Sequence, residues 1–207
     1  VNGLKFKLTG TSVYGEEVSM TATTNEAGVA VFDGCSNSGN FIIKGKGTKS
    51  YERYGGGVAF LSKGTVIVLN GFTNSGNITY EGDHTSSNQS MSLGGFIGQA
   101  QNGALFATET YPTWTGDIIN TGTLKFNGKS SKTVYIGGFI AAGNITCPVT
   151  GKLINTGNIE VDGEFSAASV GGIYGLCNQN IDGAQVFCDI YAKSPAKFGF
   201  IMSTARA

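Results

Sequence analysis

The chain has little that could react. His84 is the only histidine among 207 residues, so a histidine-based metal site or a Ser-His-Asp hydrolase lacks its parts. Charged residues make up 14 %, against roughly 25 % in an ordinary globular domain. Lysine plus arginine and aspartate plus glutamate balance at 14 each, which leaves no net field toward nucleic acid or an anionic membrane. No apolar run approaches the length of a membrane-spanning helix, so no membrane insertion by this segment is expected. The first residue is Val1 and no signal-peptide core follows. The sequence reads as a mature secreted form or as a piece of a longer chain.

Cysteine is sparse too. Cys35, Cys147, Cys177 and Cys188 include no C-x-x-C pair, which argues against a zinc site and a thioredoxin-like motif. All four are expected to be buried small hydrophobes. No nucleophile elbow, Walker loop or dinucleotide fingerprint occurs, and no cofactor or metal is expected.

Glycine is plentiful, at 33 residues against 3 prolines, and 40 % of the chain is hydrophobic with 11 % aromatic. Glycine-rich chains without apolar content stay disordered, but this one has enough to fold, and it reads as a turn-dense β protein.

One phrase recurs: "NSGNFIIKG" (37 to 45), "NSGNITYEG" (74 to 82), "NTGTLKFNG" (120 to 128) and "NTGNIEVDG" (155 to 163). Asn37, Asn74, Asn120 and Asn155 open the copies; Gly45, Gly82, Gly128 and Gly163 close them. Between them, large apolar residues stand two apart: Phe41 and Ile43, Ile78 and Tyr80, Leu124 and Phe126, Ile159 and Val161. That alternation describes a short strand with one buried face.

A second phrase follows each first: "GGGVAF" (55 to 60), "GGFIG" (94 to 98), "GGFIA" (137 to 141) and "GGIYG" (171 to 175). Its glycine pair suggests a tight bend at positive φ. A third phrase, "TGDIIN" or "TGKLIN", leads into the next asparagine, giving three strands per repeat. The period points to a solenoid, propeller or array, and phrases this short and glycine-rich suit stacked coils better than propeller blades. The fold expected is an all-β, right-handed parallel β-helix-like solenoid. In such a stack the asparagines either form a hydrogen-bonded ladder or serve local turn geometry.

Residues 1–36 lack the repeat and read as strand, turn at Asn25 to Gly28, strand: a β-hairpin or small sheet capping the four-repeat solenoid of 37–190. Residues 191–207 read as a degenerate terminal coil whose stretch "FGFIMS" favours a longer array. The segment 99–116 makes the second repeat long and holds Tyr111, Pro112 and Trp114; such insertions emerge as loops on a binding face. The loop at 46–56 offers Tyr51 and Tyr54 with Lys49 and Arg53. Tyr111, Trp114, Tyr51 and Tyr54 are the candidate ligand-binding residues.

Catalytic candidates are thin. Glu81 with Asp83, and Asp162 with Glu164, flank the closing glycine, where other copies carry Lys44 and Lys46 or Asn127 and Lys129. A turn that accepts either sign reads as solvated surface. His84, in "GDHTSSNQS", reads as an exposed loop residue. Asn77, Asn88 and Asn144 begin N-x-[ST] triplets, which matter only in a eukaryotic source.

At "GGFIG", "INTGTLKFNG" and "INTGNIEVDG" the chain resembles the GLUG-motif repeats of large bacterial surface and adhesin-like proteins, over about residues 37 to 190. Phe or Ile stands where that motif favours Leu, and these repeats are longer. The resemblance implies an exported, cell-surface β-solenoid with a role in attachment, and it supplies no catalytic residues. The function expected is therefore a non-enzymatic extracellular module binding glycan or a host or bacterial surface protein. The alternatives are a carbohydrate-active β-helix enzyme and a structural spacer.

Overall fold

The computed structural model describes residues 5–11, 17–24, 30–47, 51–62, 67–101, 116–143, 151–177, 184–193 and 195–205. Among these there is no helix; the structure is all-β, built from four separate sheets in which parallel pairing dominates. Sheet one runs Ala30–Asn37, Ile67–Asn74, Ile118–Asn120, Leu153–Asn155, Ala184–Val186. Sheet two runs Phe41–Ile43, Ile78–Tyr80, Leu124–Phe126, Ile159–Val161, Ile190–Ala192. Sheet three runs Glu52–Gly55, Met91–Gly94, Lys129–Gly137, Glu164–Gly171, Ala196–Gly199; sheet four runs Val58–Leu61, Ile97–Ala100, Ile140–Gly143, Tyr174–Cys177, Met202–Ala205. Five successive stretches of chain thus give one strand to every sheet, and they are called layers one to five below.

The repeated words fall in register. Phe41, Ile78, Leu124, Ile159 and Ile190 occupy one column of sheet two. Strand spacing puts neighbours in such a column about 4.8 Å apart. Ile78, Leu124 and Ile159 are fully buried, and the residues after them, Thr79, Lys125 and Glu160, turn outward. The alternation in the sequence is the pleat of a half-buried strand.

Each layer gives one strand to each of four sheets where the repeated phrases predict three, and layer two adds a short strand, Asp83–His84, paired with Lys129–Gly137. The fourth strand of each layer ends at the first glycine of the pair, as in "MSLG" (Met91–Gly94) and "VYIG" within Lys129–Gly137. It was hidden because its wording changes from copy to copy and only its apolar spacing recurs.

The interior is divided in two. Sheets one and four enclose one apolar cluster, with Phe72, Phe96, Phe139 and Ile173 among its members. Sheets two and three enclose the other, around Tyr80, Leu93, Phe126 and Ile136. Rings stack within each: Phe96 on Phe139 at 5.7 Å, and Tyr80 on Phe126 at 5.4 Å with planes 3° apart. Stacked pairs of this kind add about 0.5–1.5 kcal/mol beyond their burial.

A polar column separates the two clusters. Asn37 donates from Nδ2 to Asn74 Oδ1 at 2.6 Å, Asn74 to Asn120 at 2.7 Å, and Asn120 to Asn155 at 2.7 Å. All four amides are at most 2 % exposed. Asn74 and Asn120 each also donate to the carbonyl of the glycine two residues on. A buried amide left unpaired would cost about 1–3 kcal/mol, so the column is stable only as a run.

The glycine pairs lie against this column. A Cβ on Gly95 would overlap the Gly138 carbonyl and sit 2.8 Å from Asn120 Cγ; one on Gly138 would overlap the Gly172 carbonyl and sit 2.6 Å from Asn155 Cγ. Close approach between layers, and not the positive φ expected from the sequence, is what demands glycine here. Among the described residues positive φ belongs to Gly34, Gly45, Gly71 and Gly143. Of the closing glycines, Gly45 adopts φ +120°, whereas Gly82, Gly128 and Gly163 leave room for a neighbouring aromatic ring, that of Tyr80, Tyr80 and Phe126 respectively.

At the start, Lys5–Thr11 pairs antiparallel with Glu17–Thr24, which pairs antiparallel with Ala30–Asn37 of layer one. The turn at Asn25 to Gly28 lies outside the described residues. Cys177 is buried, while Cys35 and Cys188 are half-buried. Cys188 Sγ accepts from Asn155 Nδ2 at 3.2 Å, so it ends the amide column instead of serving only as a hydrophobe. Cys147 lies outside the described residues.

Candidate functional site

Strand Glu52–Gly55 in layer one sends its side chains alternately out and in, and the two tyrosines singled out by sequence fall on opposite sides of that alternation. Tyr51, just before the strand, is 46 % exposed. The Arg53 guanidinium lies 4.1 Å from the Tyr51 ring centroid and 4.1 Å from that of Phe60, which belongs to the neighbouring strand Val58–Leu61. Arg53 Nε donates to Gln99 Oε1 of layer two, which fixes the fork. Burial pulls the Arg53 pKa down, with Tyr51 opposing. The result is a flat aromatic–cation–aromatic patch. Cation–π contacts of this kind are worth about 0.5–1 kcal/mol each when exposed, and the patch offers both a stacking surface and donors.

Tyr54 points the other way. Its ring lies 5.9 Å from Tyr80, and both hydroxyls donate to Glu52 Oε2, at 3.3 Å from Tyr54 and 2.7 Å from Tyr80. Burial, with Glu52 adding to it, pushes the Tyr54 phenol up to about 12 and Tyr80 further up. Tyr54 therefore braces layer one against layer two. It also lines a groove of about 140 Å³ with Phe41, Ile43 and Ala59.

His84 overturns its sequence reading as an exposed loop residue: it is fully buried. Its Nε2 lies 2.7 Å from the Gln89 carbonyl oxygen, which can only accept, so Nε2 carries a hydrogen. Its Nδ1 faces Glu52 Oε1 at 3.4 Å. Glu52 thus accepts from two phenols on one largely buried carboxylate, and the buried His84 Nδ1 beside it has no hydrogen-bond partner. The polar wording of "GDHTSSNQS" concealed this, because the partner that buries His84 comes from the preceding layer. The remaining polar residues fold the turn: Asp83 Oδ1 accepts from Thr85 N at 2.9 Å and from Thr85 Oγ1, which holds its carboxyl below the usual range.

The carboxylate pairs lie on the surface facing lysines of adjacent layers. Glu81 meets Lys44 at 3.3 Å, Glu160 meets Lys125 at 2.7 Å, Glu164 meets Lys129 at 3.1 Å and Asp162 approaches Lys193 at 4.0 Å. By register, one column here runs Lys44, Glu81, Asn127, Asp162 and Lys193, and another runs Lys46, Asp83, Lys129 and Glu164; layer five also places Asp189 on this side. A shallow groove of about 310 Å³ runs here, lined by Lys125, Asn158, Glu160, Asp162, Asp189 and Tyr191. Among the described residues no group of three or more His, Cys, Asp or Glu is placed to hold a metal ion.

Tyr111 and Trp114 lie outside the described residues, so the structure joins neither to Tyr51. Arg53, named with Tyr51 in the sequence, stands two residues from it at the spacing of one strand face, and the structure adds Phe60 from the next strand. Comparison with protein-family models, with curated proteins and with solved structures gave no match.

Proposed function

We propose that this chain is a β-solenoid module of a bacterial cell-surface, adhesin-like protein that presents side chains for binding glycan or a surface protein and catalyses no reaction. Two features support the solenoid reading: every sheet takes its strands in chain order, and the amide column runs through four successive layers. The observation that carries the binding reading is the Tyr51–Arg53–Phe60 patch, a rigid aromatic surface with an aligned donor. Sugars stack their C–H faces on such rings, and protein partners use Tyr and Arg as anchors. The GLUG-like phrases agree with an exported, attachment-related module.

The test is a glycan and surface-protein array probed with the purified chain and its Tyr51→Ala, Arg53→Ala and Trp114→Ala variants. The reading expects a bound ligand whose signal falls with Tyr51→Ala or Arg53→Ala while the circular dichroism spectrum is unchanged. A carbohydrate-active enzyme is the second reading, favoured by the groove that sets Tyr191 beside Glu160 and Asp162. Turnover of an acidic polysaccharide, lost on Asp162→Asn or Glu164→Gln, would replace the binding reading with that one.

A further inference from the structure

Arg53 carries a charge that no described residue answers. Lys44, Lys125, Lys129 and Lys193 each face a carboxylate of an adjacent layer. Arg53 is half-buried, and among the described residues no carboxylate pairs with it. Gln99 Oε1 accepts from its Nε, and the Tyr51 and Phe60 rings lie against the guanidinium. The Nη groups have no hydrogen-bond partner among the described residues. Burial lowers the Arg53 pKa and Tyr51 alone opposes the shift, so no acid offsets the cost of holding this cation partly out of water.

The strand register carries this face along the stack. Arg53 aligns with Ser92, Ser92 with Tyr135, and Tyr135 with Ser169. Val134 and Ile136, on either side of Tyr135, are fully buried, so by alternation Tyr135 faces outward as Arg53 does. Tyr135 is half-buried and makes no ring contact or side-chain hydrogen bond among the described residues. Two strand spacings, about 10 Å, separate it from Arg53. Along these four positions the guanidinium is the only charge.

That arrangement discriminates among ligands. A nucleic acid calls for a cation at phosphate after phosphate, and this column offers one. A single guanidinium fork against aromatic rings suits one planar carboxylate on a ring that has C–H faces. The geometry points to an oligosaccharide containing uronic acid as the ligand of this surface, its carboxylate on the Arg53 Nη groups and its chain running along the stack toward Tyr135. The inference rests on the binding reading above and names the ligand class for it.

Its test is isothermal titration of the full chain with oligomers of galacturonate, glucuronate and mannuronate. Each is set beside its methyl ester, which keeps the rings and removes the charge. At least one acid form is expected to bind about tenfold or more tightly than its ester at low salt, with the gap narrowing as salt rises. Arg53→Gln is expected to erase the gap, and Arg53→Lys, which keeps the charge without the fork, to weaken binding about tenfold, both with an unchanged circular dichroism spectrum. Tyr135→Ser installs a side chain that the same column already accepts at Ser92 and Ser169. It is expected to weaken the oligomer and leave the affinity for the single uronic acid unchanged. An oligomer indifferent to Tyr135→Ser would overturn the course along the stack. Acid and ester bound equally, and both lost with Tyr51→Ala, would overturn this inference while the binding reading stands. A glutamate-rich peptide held by Arg53 more tightly than every uronate would overturn it in favour of a protein partner. Binding of none of these probes would overturn it too, and a blank glycan and surface-protein array would then remove the binding reading as well.

Discussion

Layers two to four and layer five share one plan and part at several of its repeated positions. Where the middle layers place asparagine in the central column, layer five has Val186, aligned with Asn155. Cys188 stands at the step of Gly157, and Phe200 follows Gly199 where the middle layers have the second glycine of the pair. The middle layers bury their interior residues almost completely, but layer five leaves Phe198 and Phe200 65 % and 68 % exposed. The asparagine and the glycine pair are thus one device: the amide needs a neighbour on each side, and the glycines make room for it. Where the column ends, both residue types disappear together.

The sharpest way to break this comparison is to crowd the middle. Gly138→Ala is expected to cost about 3 kcal/mol or more in urea denaturation, because the new Cβ meets backbone of the next layer and not a flexible side chain. Phe200→Ala in layer five should change stability by less than about 1 kcal/mol. Equal losses at the two sites would remove the distinction between middle and end.

The next largest effect concerns the amides. Asn120→Ala should cost about 2–4 kcal/mol, since it removes two bonds of its own and strands the groups facing it. Val186→Asn gives Asn155 an amide partner in place of the Cys188 thiol and should alter stability by less than about 1 kcal/mol.

How much of this was readable in advance follows from which roles repeat. The asparagines, closing glycines and alternating apolar residues do the same work in every layer, so the sequence states them four times. The strand before each glycine pair has one role but variable wording, and it went unread. His84 was misjudged for a different reason: composition of a segment reports its own polarity, not that Glu52 of the layer before will cover it. Tyr51 and Tyr54 looked alike in "YERY", and only strand alternation separates the exposed ring from the brace.

That brace gives a pH prediction for the layer-one end. The Tyr54 pKa is raised to about 12 in the folded chain, above the roughly 10 of an unfolded tyrosine. A raised folded pKa stabilises below the unfolded value, and the contribution is lost as pH climbs from about 10 through the folded value. Alkaline unfolding followed by fluorescence should therefore start later for Tyr54→Phe than for the unmodified chain. The smallest effect belongs to the surface: Glu160→Lys, which breaks the pair with Lys125, should cost less than about 1 kcal/mol, and the loss should shrink in high salt.

Hydrogen exchange of the asparagine side-chain amides tests the central claim most directly. If Asn74 and Asn120 form a buried column, their Nδ2 protons should exchange about a hundredfold or more slowly than those of exposed Asn77 and Asn158. Side-chain protons of Asn74 and Asn120 that exchange as fast as the exposed ones would contradict the column, and with it the stacked arrangement of the layers.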